Sequence, residues 1–165
     1  MIRLFLFAVL LLVGAPAFAD LKALPNGVQV SNGAASVLVT AITDTVLRVR
    51  VARSGAWPED ASWAVPASVR RQSIRVRPTA DGFQTAAVAV HVEPKTLALT
   101  VTDLAGRTVV ADAPQPLRFD GSGFILRKSL PVGEHIYGLG DKTGPLDRRG
   151  GTFVDWNTDA FGFAP

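Results

Sequence analysis

The chain has 165 residues, no cysteine and two histidines, with 17 basic and 14 acidic side chains for a formal net charge of +3. The lack of cysteine excludes a disulfide framework and a thiolate metal site, which suits an exported protein stabilised by its core alone. The small charge surplus is spread along the chain rather than clustered with aromatics, so nucleic acid is excluded as a partner.

Residues 1–19 read as a targeting segment. Arg3 supplies the positive start, Leu4 to Val13 an apolar run, and Ala17-Phe18-Ala19 the small residues ahead of a cut before Asp20. The run falls well short of the ~20 residues a spanning helix needs. The expectation is cleavage, export to a periplasmic or extracellular location, and no membrane attachment afterwards. Losing Arg3 leaves 16 basic against 14 acidic residues, a net of +2. The remaining residues, 20–165, suit one domain.

From Gly27 onward apolar residues recur at every second position, the period of a half-buried strand. "VLRVRVA" sets Leu47, Val49 and Val51 against Arg48 and Arg50, and "SIRVRP" sets Ile74 and Val76 against Arg75 and Arg77. The arginines of both read as solvated strand faces. Between them, Ser54 to Ser68 has the composition of a long surface loop. Further strands follow at Val88, Val90 and Val92, and at Leu97, Leu99 and Val101, before Asp103-Leu104-Ala105-Gly106 turns the chain into "RTVVAD". Gly123 to Leu130 gives another strand, and no window holds a helical stripe longer than two turns. The pattern predicts an all-β fold, an antiparallel β-sandwich.

The last third abandons alternation for glycines, aspartates and aromatics, a composition typical of shaped loops that present side chains. "YGLGDKTGP", Tyr137 to Pro145, resembles a phosphate cradle only superficially. Asp141 separates Gly140 from Lys142, no helical pattern follows, and a carboxylate there would repel phosphate. The spacing of His91 and His135 gives no zinc site, and no metal or cofactor is expected.

The run "EHIYGLGDKTGPLDRRGGTFVDWNTDAFGF", Glu134 to Phe163, resembles the N-terminal β-sandwich domain of glycoside hydrolase family 31, the α-glucosidase and α-xylosidase family. Members read Tyr-Gly-Leu-Gly-Glu/Asp-Lys, then Pro-Leu-Asp/Asn-Arg-Arg-Gly, then Trp-Asn-x-Asp-Ala, and the upstream strands suit the family's galactose-mutarotase-like sandwich. The resemblance implies such a sandwich, incomplete at its C-terminal side, belonging to a retaining α-glycosidase that acts on α-linked glucosides or xylosides. It implies two catalytic aspartates on the strands of a (β/α)₈ barrel. A barrel takes roughly 250 residues, and only Ala164 and Pro165 follow Phe163. No catalytic residue is therefore expected within these residues, and the absent barrel is the expected partner of the domain.

One family role maps onto this sequence. Asp159, in "WNTDAF", matches the loop aspartate that accepts hydrogen bonds from hydroxyls of the non-reducing sugar, a task that suits a carboxylate because it offers charge-assisted acceptors to two neighbouring hydroxyls. The competing role for Asp159 is a turn cap. Trp156 is read as packing on its own domain rather than as a sugar platform. Asp155 and Asp159 share one loop and are not an acid/base pair, while Arg148 and Arg149 are read as loop anchors paired with acids such as Asp147.

Two other functions are weighed against this one. A free-standing carbohydrate-binding module differs from the domain of a longer enzyme in what is encoded after Pro165. A mutarotase acting alone needs a converging carboxylate and imidazole; Glu134 and His135, read as adjacent on a strand, would point to opposite faces. N-terminal sequencing of the exported product tests the leader: Asp20 as first residue is expected, and Met1 on a membrane-bound product would contradict it.

Overall fold

The computed structural model describes residues 20–53, 56–140 and 144–154. They fall into two compact units, one ending at Ser129 and one beginning at Leu130.

The first unit is the expected antiparallel β-sandwich. One sheet holds β1 (Asp20–Leu24), β2 (Gly27–Ser31), β3 (Ala35–Ala41) and β4 (Leu47–Arg53) in chain order. After a one-turn helix, α1 (Ala67–Arg70), the second sheet is built from β5 (Arg77–Pro78), β6 (Gly82–Gln84), β7 (Val88–Val92), β8 (Leu99–Asp103), β9 (Thr108–Asp120) and β10 (Gly123–Lys128). Every neighbour is antiparallel.

Alternation fixes the register. Across the first sheet Leu21 faces Val30, Val30 faces Val37 and Val37 faces Val51, and the next row runs Ala23, Val28, Val39, Val49. Across the second, Phe83 faces Val90 and Val90 faces Val101. Val28, Val30, Val37, Val39, Phe83, Val90, Val92, Leu99 and Val101 form one buried cluster. Each such side chain contributes about 1.5–3 kcal/mol on burial, and a slip of one residue would turn a whole row outward. Two glycines admit the close approach of neighbouring strands: a Cβ on Gly27 would lie 2.0 Å from the Val39 carbonyl oxygen, and one on Gly82 equally close to that of Val90.

The turn expected at Asp103–Gly106 joins β8 to β9. Asp103 Oδ1 accepts the N–H groups of Ala105 and Arg107, both at 2.9 Å, and Gly106 takes φ +82°. These backbone donors, with that of Arg107 foremost, hold the Asp103 carboxyl below the ordinary carboxylate range.

Two expectations need correction. The strand expected at Ile74–Arg77 is reduced to Arg77–Pro78. Ile74 and Val76 still pack on the core, but their N–H groups make isolated bonds, to the carbonyl of Ala41 at the end of β3 and to that of Pro25, instead of a continuous ladder. The segment expected to be a surface loop is exposed and irregular over residues 56–66, runs along β4, and leads into α1 at its end. Arg48 makes a bidentate contact with Asp60 at 2.6 and 3.0 Å, Arg70 reaches the same carboxylate at 3.2 Å, and Arg50 lies over the Trp57 ring. The Arg48–Arg50 face is therefore covered rather than solvated, whereas Arg75 and Arg77 are exposed as expected. β1, where alternation gives no sign of a strand, forms one because the Pro25-Asn26 turn folds it back along all five residues of β2.

Phe83, on β6 next to the β5 edge of the second sheet, is fully buried in the core. Phe83→Ala should cost about 3–5 kcal/mol, seen as a lower urea midpoint with unchanged slope; an unchanged midpoint would contradict this placement of the core.

Candidate functional site

The second unit carries the described part of the segment singled out above. Residues 134–140 form no strand, which corrects the expectation that Glu134 and His135 lie on one. Gly138, Leu139 and Gly140 have φ of +102°, +69° and +78°, so the chain bends through three successive left-handed residues. Glycine takes this conformation without cost, whereas Leu139 is held in it by its surroundings. Residues 144–154 contain no helix, so the described part offers no helix N-terminus behind the glycines.

Asp147 ties this unit together. Its Oδ2 accepts a hydrogen bond from His135 Nδ1 at 2.7 Å, and its Oδ1 accepts the N–H groups of Arg149 at 3.0 Å and Ile136 at 3.3 Å. A carboxylate can only accept, so the imidazole carries its proton on Nδ1. The bond from His135, then those from the backbone, pull the Asp147 carboxyl below the ordinary carboxylate range. The His135 ring stacks on Tyr137, centroids 6.1 Å apart.

The two arginines anchor the loop, and the described contacts show how. The Arg149 guanidinium donates to the carbonyls of Glu134 at 2.6 Å, Pro131 at 2.8 Å and Leu130 at 3.3 Å. The Arg148 N–H bonds to the Ile136 carbonyl at 2.7 Å, and its guanidinium lies over the Phe153 ring. A planar cation with several donors can gather a ring of backbone carbonyls that one carboxylate partner would not fix. Residues 130–136 and 147–149 are thus tied side by side.

In the first unit His91 Nδ1 lies 3.0 Å from Asp81 Oδ2, so each histidine has its own carboxylate partner. Among the described residues no three metal-ligating side chains gather. Asp159, the candidate sugar contact, lies outside the described residues, as do Asp155 and Trp156. The His135–Asp147 pair was not legible beforehand, because twelve positions of irregular chain carry no periodicity from which to infer the contact.

Three comparisons bear on this arrangement. The family model of the glycosyl hydrolase 31 N-terminal galactose mutarotase-like domain matches residues 36–165. Alpha-glucosidase 2 of Bacillus thermoamyloliquefaciens is 34% identical over 73 residues, 44% of this chain and 9% of that protein. The fold is shared with a GH31 dextranase of Flavobacterium johnsoniae, solved with isomaltotriose (TM-score 0.72) and with glucose (TM-score 0.73). Each of those likenesses is 21% identical and covers 90% of this chain but 19% of the dextranase chain. The chain therefore spans only a minor part of the length of these relatives.

Asp147 has a depressed pKa in the folded loop, so its stabilising contribution is complete above the ordinary carboxylate range and is lost as pH falls through the depressed value. Amide protection at Ile136 and Arg149 should fall on acidification below about pH 4. Asp147→Asn should exchange faster at both amides at neutral pH already, and identical exchange in the two proteins would contradict the tie.

Proposed function

Because the chain belongs to the family of glycosyl hydrolase 31 N-terminal galactose mutarotase-like domains, we propose that it is the N-terminal domain of an exported retaining α-glycosidase. The observation that carries this reading is the family match over residues 36–165, joined to a sandwich that also occurs in a dextranase of that family. In the proposal residues 1–19 are an export leader, and the mature domain works in the periplasm or outside the cell.

Retention requires a nucleophilic carboxylate and an acid/base carboxylate about 5–5.5 Å apart, so that a covalent glycosyl intermediate forms and water then opens it. In this reading both stand on the (β/α)₈ barrel of the longer enzyme, and this domain supplies no catalytic residue. Its contribution is to brace the barrel and to present Asp159 to the sugar. The Asp147 tie supports that role, since a loop rooted by charge-assisted bonds holds its tip with less loss of entropy on binding. The sugars seen with the dextranase, glucose and isomaltotriose, suggest an α-glucosidic substrate.

The isolated chain should hydrolyse neither nitrophenyl α-glucoside nor α-xyloside; turnover that survives purification and disappears on a substitution within this chain would refute the assignment. In the longer enzyme, Asp159→Asn removes charge-assisted acceptors worth about 1.5–3 kcal/mol. That predicts a fall in kcat/KM of about one to two orders of magnitude, with Asp155→Asn changing much less. Wild-type kinetics for Asp159→Asn would remove the sugar-contact role. Specific binding of glucosides by the isolated chain, with no barrel encoded downstream, would favour a free-standing binding module instead.

A further inference from the structure

An apolar recess is left where the 56–66 segment and α1 meet the start of β4 and the turn before it. It measures about 330 Å³ and is lined by Ile42, Val46, Leu47, Val65 and Val69. The charged groups in its wall, Arg48 and Arg70, are both turned to the Asp60 carboxylate, at 2.6 and 3.2 Å. The apolar wall is open to water: Val46 is 51% exposed, Val65 40% and Val69 39%.

Trp63 and Ala64 stand between Ser62 and Val65, both of which line this recess. The Trp63 side chain is fully exposed, whereas Trp57 in the same segment lies against Arg50. The chain on either side of Trp63 is nevertheless fixed. Arg70 donates to the carbonyls of Ser62, at 3.1 Å, and Val65, and the Val65 N–H donates to Ser62 Oγ at 3.2 Å. The indole is thus presented to water from an anchored turn, forgoing the burial of about 150–250 Å² that such a side chain makes elsewhere. An exposed apolar patch of this kind marks a contact surface. A sugar would need partners for its hydroxyls beside the indole, and the recess offers apolar side chains and charges already paired with each other. An apolar side chain fits it better.

We propose that this face is a self-association surface, on which a second copy of the chain docks reciprocally, each Trp63 entering the recess of the other copy. A projecting indole and a recess side by side on one face are what a twofold interface requires, since the same patch must serve as both knob and hole. The proposal is independent of the glycosidase reading, because the knob and its recess both lie within the first unit. Two indoles and the walls they cover come to roughly 600–1,000 Å² in total. That is less than the about 1,200 Å² at which stable interfaces begin, so the dimer is weak and reversible. Val46 and Val69 at the rim exclude water around each indole, the setting in which a tryptophan carries most of a contact's energy.

Sedimentation equilibrium of this chain over a range of concentrations tests the proposal. A monomer–dimer equilibrium with a dissociation constant on the order of 0.1 mM is expected, with tryptophan emission moving to the blue as the dimer forms. Trp63→Ser removes the knob at an exposed position and should raise that constant at least about tenfold without unfolding the chain. Val46→Arg, half-exposed in the wall, should do the same by blocking the recess. Mixing the two variants restores one knob and one recess per pair. Unlabelled Val46→Arg should therefore move the Leu47 and Val65 amide resonances of labelled Trp63→Ser, while neither variant responds to its own concentration. Resonances unmoved in the mixture, a dimer that survives both substitutions, or a chain that stays monomeric up to about 1 mM would each overturn reciprocal docking. A blue shift of Trp63 emission on adding isomaltotriose to the monomer would overturn it in favour of a sugar platform. Amide exchange at Trp63 and Ala64 that is slower in a longer enzyme at nanomolar concentration than in this chain would overturn it in favour of a contact within that enzyme.

Discussion

The sandwich depends on the meeting of two apolar sheet faces whose side chains are aligned in rows across the strands. Leu21, Val30, Val37 and Val51 sit at successive partner positions in the first sheet, and Phe83, Val90 and Val101 do so in the second. β-branched side chains suit this arrangement because they are stiff and fill the pleat evenly. With no cysteine available, cohesion must come from this contact, and the tight passages at Gly27 and Gly82 follow from how closely the strands approach. Where the two faces diverge, between β4 and β10, an apolar cleft remains.

Arginine plays a consistent part outside the core. Arg48 and Arg50 bind the strap over β4, Arg53 ties the end of β4 to the β9–β10 turn at Gly121, and Arg149 gathers three carbonyls at the root of the loop. Exposed ion pairs contribute little each, about 0–1 kcal/mol. Their value here is geometric: a planar multi-donor cation fixes the course of irregular chain that has no ladder to direct it. That explains why arginines are spread along the sequence instead of forming one basic patch.

The strands could be read from the sequence where burial is one-sided. Leu47 to Val51, Val88 to Val92 and Leu99 to Val101 alternate because one face of each meets the core, and physical spacing of two residues is all that the reading requires. The strap could not be read, because its contacts join Arg48 to Asp60 and Arg50 to Trp57 through side chains, leaving no periodic trace. The strand at Arg77–Pro78 is shorter than alternation indicates because alternation records which side chains are buried, not whether the backbone finds a ladder; Ile74 and Val76 pack on the core while their N–H groups make isolated bonds to Ala41 and Pro25. In the loop, the motif order from Glu134 onward indicated the family while the physical means of holding it, Asp147 between His135 and two backbone amides, emerged only in three dimensions.

Taken together, a stiff valine-rich sandwich carries a loop rooted by Asp147 and Arg149, and the proposed task of that loop is to deliver one carboxylate to a sugar held by a neighbouring barrel. The most direct measurement is a crystal structure of the longer enzyme with isomaltotriose bound. The account predicts an Asp159 carboxylate oxygen within about 2.6–3.2 Å of a hydroxyl on the non-reducing sugar. An Asp159 carboxylate turned back to cap its own loop, with the sugar held by barrel residues alone, would contradict it.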